Sequence, residues 1–203
     1  GDATNGVCNA MAAGKVFVGG SIGARGLTMT KWNPDYEKPE LWVLGSTGDS
    51  FAEFNCGGIA VICGIDPKNP DNVMGYRPCV GMVGGTIYVR GPVAGLSDEV
   101  WLLSLDDADR DFLRQNMPVF LGKIGRTELE EELTDFSRWQ KIVAKTYEER
   151  NVRSRMTLRE FRDQKWVADG GIFADVVKDD YAHVAGLVNA GEDRIKIPHW
   201  QDK

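Results

Sequence analysis

The chain has 203 residues, with 24 Lys and Arg against 30 Asp and Glu and a net charge of −6. That length fits one domain, or one domain with an appendage, and the interspersed charges leave no basic footprint for nucleic acid. No apolar run approaches the roughly 18 residues needed to cross a bilayer.

Glycine-bounded segments organise the first half. Gly1 to Gly20, Gly45 to Gly64 and Asn72 to Gly91 have equal span, a step of nineteen, and an inner glycine (Gly14, Gly58, Gly85) falls thirteen residues into each. The closing stretches GKVFVGG, GIAVICG and GTIYVRG predict short strands. Their apolar pairs Val16 and Val18, Ala60 and Ile62, and Ile87 and Val89 point to one face as inward rungs. A degenerate copy runs from Gly26 to Gly45, with Leu41 and Val43 in the rung slots and Pro39 in place of the inner glycine. Earlier slots hold Cys8, Ala52 and Cys79, and Ala13, Gly57 and Gly84. Glycine inside a helix costs roughly 1 kcal/mol against alanine. Corners that need a positive φ or close backbone approach are therefore the better assignment for Gly1, Gly14, Gly20, Gly45, Gly58, Gly64, Gly85 and Gly91. Fixed-period self-similarity predicts a solenoid: a mainly β chain with a parallel β-helix of about four 19-residue coils over residues 1–96. Ile65 to Asp71 is a turn-rich insertion.

Eighteen of the 24 glycines precede residue 97, which sets the predicted boundary. Residues 97–203 read as a helical and irregular extension that packs on the β-helix or on partner subunits. Ser104, Asp106 and Asp107 start a helix carrying Phe112 and Leu113. Thr127 with Glu130 fits a capping box, and Leu129, Leu133, Phe136, Ile142 and Val143 predict one helix face ending near Asn151. Thr157 with Glu160 opens a third helix, stopped by Asp169-Gly170-Gly171, and a short helix is expected near Tyr181 to Val188. Trp101, Trp139, Trp166 and Trp200 are expected to pack on the β wall or on neighbouring subunits.

Chemistry is sparse. His183 and His199 sit late in the chain and read as ordinary surface or packing residues. There is no HExxH or GxSxG. Cys8, Cys56, Cys63 and Cys79 form no CxxC pair and read as free thiols, mostly buried, in a reducing cytoplasm. Gly19 to Gly26 loosely resembles a phosphate loop but lacks the following helix that a dinucleotide site requires. Asp2, Asp49, Glu53 and Asp66 are the carboxylates a carbohydrate-active β-helix enzyme would use, although Asp49 aligns with Asn5 and fits a turn role. Arg150, Arg153, Arg155, Arg159 and Arg162 form a basic cluster that fits a solvated face or an acidic partner. No catalytic, cofactor-binding or metal-ligating residue is assigned. The start carries neither methionine nor a signal-peptide pattern, so further coils could precede Gly1, and an open end there would call for a cap or partner.

GDATNGVCNAMAAGKVFVGG and CVGMVGGTIYVRG resemble repeat units of the GXGXG-motif family. It comprises the C-terminal domain of the glutamate synthase large subunit, its separately encoded homologues, and the GXGXG-bearing component of formylmethanofuran dehydrogenase. The resemblance covers about residues 1–96, and Ser104 to Pro118 resembles the short helix that follows the repeats in split glutamate-synthase-like subunits. It implies a right-handed parallel β-helix and a non-catalytic scaffolding subunit in a higher-order hetero-oligomer. The implied partners are a glutaminase-type amidotransferase subunit and an FMN-binding synthase subunit, which would hold the FMN and an iron–sulfur cluster. The alternatives are the GXGXG-bearing component of a formylmethanofuran dehydrogenase or formyltransferase/hydrolase-type complex, and a free-standing β-helix enzyme acting on carbohydrate.

Overall fold

Six strands form one mixed sheet. They are β1 (Lys15–Val18), β2 (Glu40–Val43), β3 (Cys56–Ile62), β4 (Gly84–Arg90), β5 (Val100–Ser104) and β6 (Trp139–Ala144), in the spatial order β1-β2-β3-β4-β6-β5. The first four are parallel, and β6 pairs antiparallel with both β4 and β5. The computed structural model describes residues 1–150. Two compact units divide the chain, Gly1–Thr146 and Tyr147–Lys203. The predicted helices opening at Thr157 and near Tyr181, the Asp169-Gly170-Gly171 stop, the arginines from Arg153 to Arg162, Trp166, Trp200, His183 and His199 all lie outside the described residues.

The expected right-handed parallel β-helix of about four 19-residue coils with an α-helical appendage is not the assigned fold. The described strands lie in a single sheet whose last two members run antiparallel to their neighbours. Nor is the winding uniform. Val16 meets Leu41, Leu41 meets Ala60 and Ala60 meets Ile87, so successive partners lie 25, 19 and 27 residues apart. Equal spans between glycines describe each segment, whereas the loops between segments set the length of each step. The stretch read as a helical extension supplies β5 and β6, and the β6 ladder occupies the edge of β4.

Both faces of the sheet are covered, as parallel strands require. Val18, Leu41, Val43, Ala60, Ile62, Ile87 and Val89 join one apolar layer, with Val16 packed at its margin. Ile22, Leu27, Phe51, Met74 and Met82 from the connecting turns complete that layer. Trp42, Val61 and Tyr88 point the other way, into a layer with Leu113, Met117, Phe120 and Leu121. These last four belong to α1 (Asp107–Ile124). Asp106 caps α1 with a capping box to Asp109, and Gly125 ends it in a left-handed conformation at φ 70°.

The turns have an uncommon backbone. Among the described residues, eleven non-glycine positions have positive φ, including Cys8, Arg25, Leu27, Met29, Ser50, Ala52, Phe54 and Cys79. Each such residue costs on the order of 1 kcal/mol. Backbone bonds between layers offset that cost: the Leu27 amide donates to Val7 O (2.8 Å), Arg25 to Asp49 O (2.8 Å) and Ala52 to Gly26 O (2.8 Å). Alternating positive φ turns successive amides toward opposite neighbours, so the turn segments stack in register without forming strands.

The predicted helix from Thr127 to near Asn151 is also replaced. Two 3-10 turns (Thr127–Leu129 and Phe136–Arg138) and the four-residue α2 (Glu130–Leu133) lead into β6. The Asp135 carboxylate accepts from the Ser137 amide and starts the second turn. A spacing of three puts Trp139 and Ile142 on one side of a helix but on opposite faces of a strand. Because both sheet faces are apolar, the strand satisfies that spacing: Ile142 enters one layer and Trp139 the other. No helix among the described residues is long and apolar enough to cross a membrane.

Candidate functional site

Ionisable groups converge behind α1. The Lys141 ammonium lies 2.7 Å from Asp106 Oδ2 and 2.6 Å from Asp109 Oδ2. The Tyr88 hydroxyl donates to Asp109 Oδ1 at 3.0 Å. The capping box places both carboxylates at the helix start, and β4 and β6 bring up Tyr88 and Lys141. The ammonium of Lys141 and the Asp109 amide hold the Asp106 carboxyl down to about 2. The two carboxylates raise the Lys141 pKa in return. Burial, followed by the negative charge of Asp109, pushes the Tyr88 phenol up. Every polar group in the cluster has its partner inside it, so the chemistry is that of a clamp between helix and sheet. Arg90 plays a similar part nearby: almost fully buried, it donates to Cys63 O (3.3 Å) and pairs with Glu132.

A second constellation lies on the stacked turns. Asn5, Gly6, Asn9, Arg25, Thr28, Met29, Glu53 and Phe54 line an open cleft of about 530 Å³. Three successive turn segments contribute to it, so residues far apart in the chain share one wall. Asn5 Oδ1 accepts from the Ala24 amide (2.8 Å), and Asn9 Oδ1 accepts from the Thr28 hydroxyl (3.0 Å).

The candidate carboxylates do not assemble. Asp2 accepts from the Ser21 amide (2.8 Å) and pairs with Lys68 (3.0 Å), contacts that hold its carboxyl below the usual range. Asp49 accepts from the Tyr76 amide (2.8 Å). Its bond, like that of Asn5, reaches the next turn segment, not its own backbone. Glu53 lines the cleft, and Asp66 has positive φ in the insertion. Among the described residues no group of three or more His, Cys, Asp or Glu is placed to hold a metal.

The rung residues pair in two rows, Val16-Leu41-Ala60-Ile87 and Val18-Val43-Ile62-Val89. Of the corner glycines, Gly14, Gly64, Gly85 and Gly91 have positive φ; Gly20, Gly45 and Gly58 instead sit where an added Cβ would strike Asp2, Ser21 and Thr30. Gly1 has open space. Cys63 and Cys79 are buried, Cys8 is half-buried and Cys56 is exposed. Trp139 is buried and Trp101 is 44% exposed on β5. Sequence reasoning missed Tyr88, Asp109 and Lys141, whose partners are brought together only by the sheet. It also missed the cleft, although Asn5 and Ala24, and Asn9 and Thr28, lie one nineteen-residue step apart and mark outward-facing slots. No protein-family model matches the chain, and no curated protein matches it.

Proposed function

We propose that the chain is a structural subunit, without an active site of its own, in a multisubunit oxidoreductase of the glutamate synthase type. The observation that carries the structural part is the two-sided burial of the central sheet. Leu41, Trp42, Val43, Ala60, Val61 and Ile62 are all at or below 1% exposure, in two separate apolar layers. Interiors packed at crystal-like density resist deformation and transmit strain. A slab filled on both faces therefore suits the task of holding catalytic parts at a fixed separation. The ionic cluster of Lys141 with Asp106 and Asp109 is spent on fastening α1 to the sheet.

The choice of partners rests on the resemblance of GDATNGVCNAMAAGKVFVGG and CVGMVGGTIYVRG to GXGXG repeat units. On that reading, a glutaminase-type subunit releases ammonia and an FMN synthase subunit with an iron–sulfur cluster consumes it. The assembly is cytoplasmic, where an exposed thiol such as Cys56 stays reduced. Affinity isolation of the full-length chain from its native cells tests the proposal. A yellow, flavin-containing assembly with a glutaminase subunit is the expected product. Recovery with molybdenum or tungsten dehydrogenase subunits, or as a lone chain that turns over a polysaccharide, would overturn it.

A further inference from the structure

The cleft on the turn stack brings three unlike chemistries to one wall. At one part of it are hydrogen-bond donors. The Arg25 guanidinium has no ion-pair partner among the described residues. The Asn5 and Asn9 side chains use their carbonyl oxygens on Ala24 and Thr28, which leaves each amide NH₂ to donate outward. Glu53 supplies a carboxylate with no hydrogen-bond or ion-pair partner among the described residues. Met29 and Phe54 supply an apolar surface, 61% and 53% exposed. The volume of about 530 Å³ falls in the range of small-molecule sites.

Positive φ at Arg25, Met29 and Phe54 fixes where these side chains leave the backbone. Their amides are tied to neighbouring segments at Asp49, Glu53 and Val80. The main chain of the wall is thus fixed before any ligand arrives, which lowers the backbone share of the ordering cost of binding.

We propose that this cleft binds a small zwitterion of the amino-acid class, free or as a dipeptide, carrying an apolar side chain. Arg25 and the two asparagine amides take the carboxylate, Glu53 takes the ammonium, and Met29 with Phe54 covers the side chain. Charge-assisted bonds to both ends give the site its preference for a zwitterion over either singly charged analogue. The inference rests on the cleft alone and is independent of any assembly with catalytic subunits.

Calorimetric titration of the full-length chain tests it, with L-leucine, leucyl-leucine, 4-methylpentanoate and 3-methylbutylamine at matched ionic strength. Saturable binding is expected for leucine or its dipeptide, at least about tenfold tighter than for the acid or the amine. The tighter of the two zwitterions defines the length of the ligand. Arg25→Gln is expected to weaken both the zwitterion and the acid about tenfold, whereas Glu53→Gln weakens the zwitterion and spares the acid. Absence of saturation for every probe overturns the proposal. So does equal binding of the zwitterion and its singly charged analogues by the unsubstituted chain, a comparison that requires no variant to fold.

Discussion

Gly85→Ala isolates the packing of the start of β4 on β3. Gly85 has φ +91°, and a Cβ built on it would lie 2.7 Å from Asn55 Nδ2 and closer still to the Gly58 carbonyl oxygen. The second obstacle is backbone and cannot rotate away. Asn55 is fixed as well, since its carbonyl oxygen accepts from the Gly57 and Gly58 amides at 3.2 and 2.9 Å. A left-handed conformation costs an alanine roughly 1–2 kcal/mol, and overpacking a filled site adds roughly 1–3 kcal/mol. The expected loss is about 2–5 kcal/mol, read as a lower urea midpoint at unchanged m-value. Each kcal/mol also lowers Tm by about 2–4 °C for a chain of this size. Gly122→Ala is the matched control. Gly122 lies inside α1 with nothing within 4 Å of an added Cβ, so the same substitution should stabilise by about 1 kcal/mol. If the two variants shift the midpoint in the same direction, or if Gly85→Ala changes stability by less than about 0.5 kcal/mol, the register drawn between β3 and β4 is wrong.

Lys141→Met should flatten the acid limb of stability. The Asp106 carboxyl is held at about 2 against an ordinary 3.8, so its contribution is complete above about pH 4 and disappears as the pH falls toward about 2. Urea midpoints across that window should fall more steeply in the unsubstituted chain than in the variant; equal slopes would exclude the Lys141 contact as the cause. Trp42→Ala should destabilise by about 3–5 kcal/mol, because the ring is 1% exposed and donates to Glu40 at 2.9 Å. A loss below about 1 kcal/mol in a urea melt would mean that the second apolar layer is not packed as described. Burial pushes the Cys8 thiol up to about 11 and the Cys79 thiol up to about 12, while Cys56 is exposed. A disulfide-exchange reagent should therefore label Cys56 far faster than Cys8 in the native chain, with Cys63 and Cys79 reacting only after denaturation. Rapid native labelling of Cys79 would contradict its burial.

Much of the strand content is legible because it is local. GKVFVGG, GIAVICG and GTIYVRG combine period-two alternation with glycine boundaries, and those two signals need no knowledge of distant residues. The same holds for the start of α1, where Asp106 is the N-cap and acts within one turn. The architecture is less legible, since a constant glycine spacing imitates a constant winding. Steps of 25, 19 and 27 residues follow from loop insertions that leave the glycine pattern intact. Leu133, Phe136 and Ile142 imitate one helix face by their spacing, although the first two pack in one apolar layer and Ile142, on β6, in the other.

Alternation and punctuation in the sequence determined which residues form β1 to β4 and which side chains are apolar enough to fill a core. Only the tertiary structure decided that β6 pairs with β4 and that Lys141 meets Asp106 and Asp109. It also decided that Asn5, Arg25 and Glu53 share a wall. Local signals act through backbone geometry within a few residues, and these contacts join segments separated by tens of residues. Their partners are chosen by which apolar faces and unpaired amides remain once the chain has closed on itself.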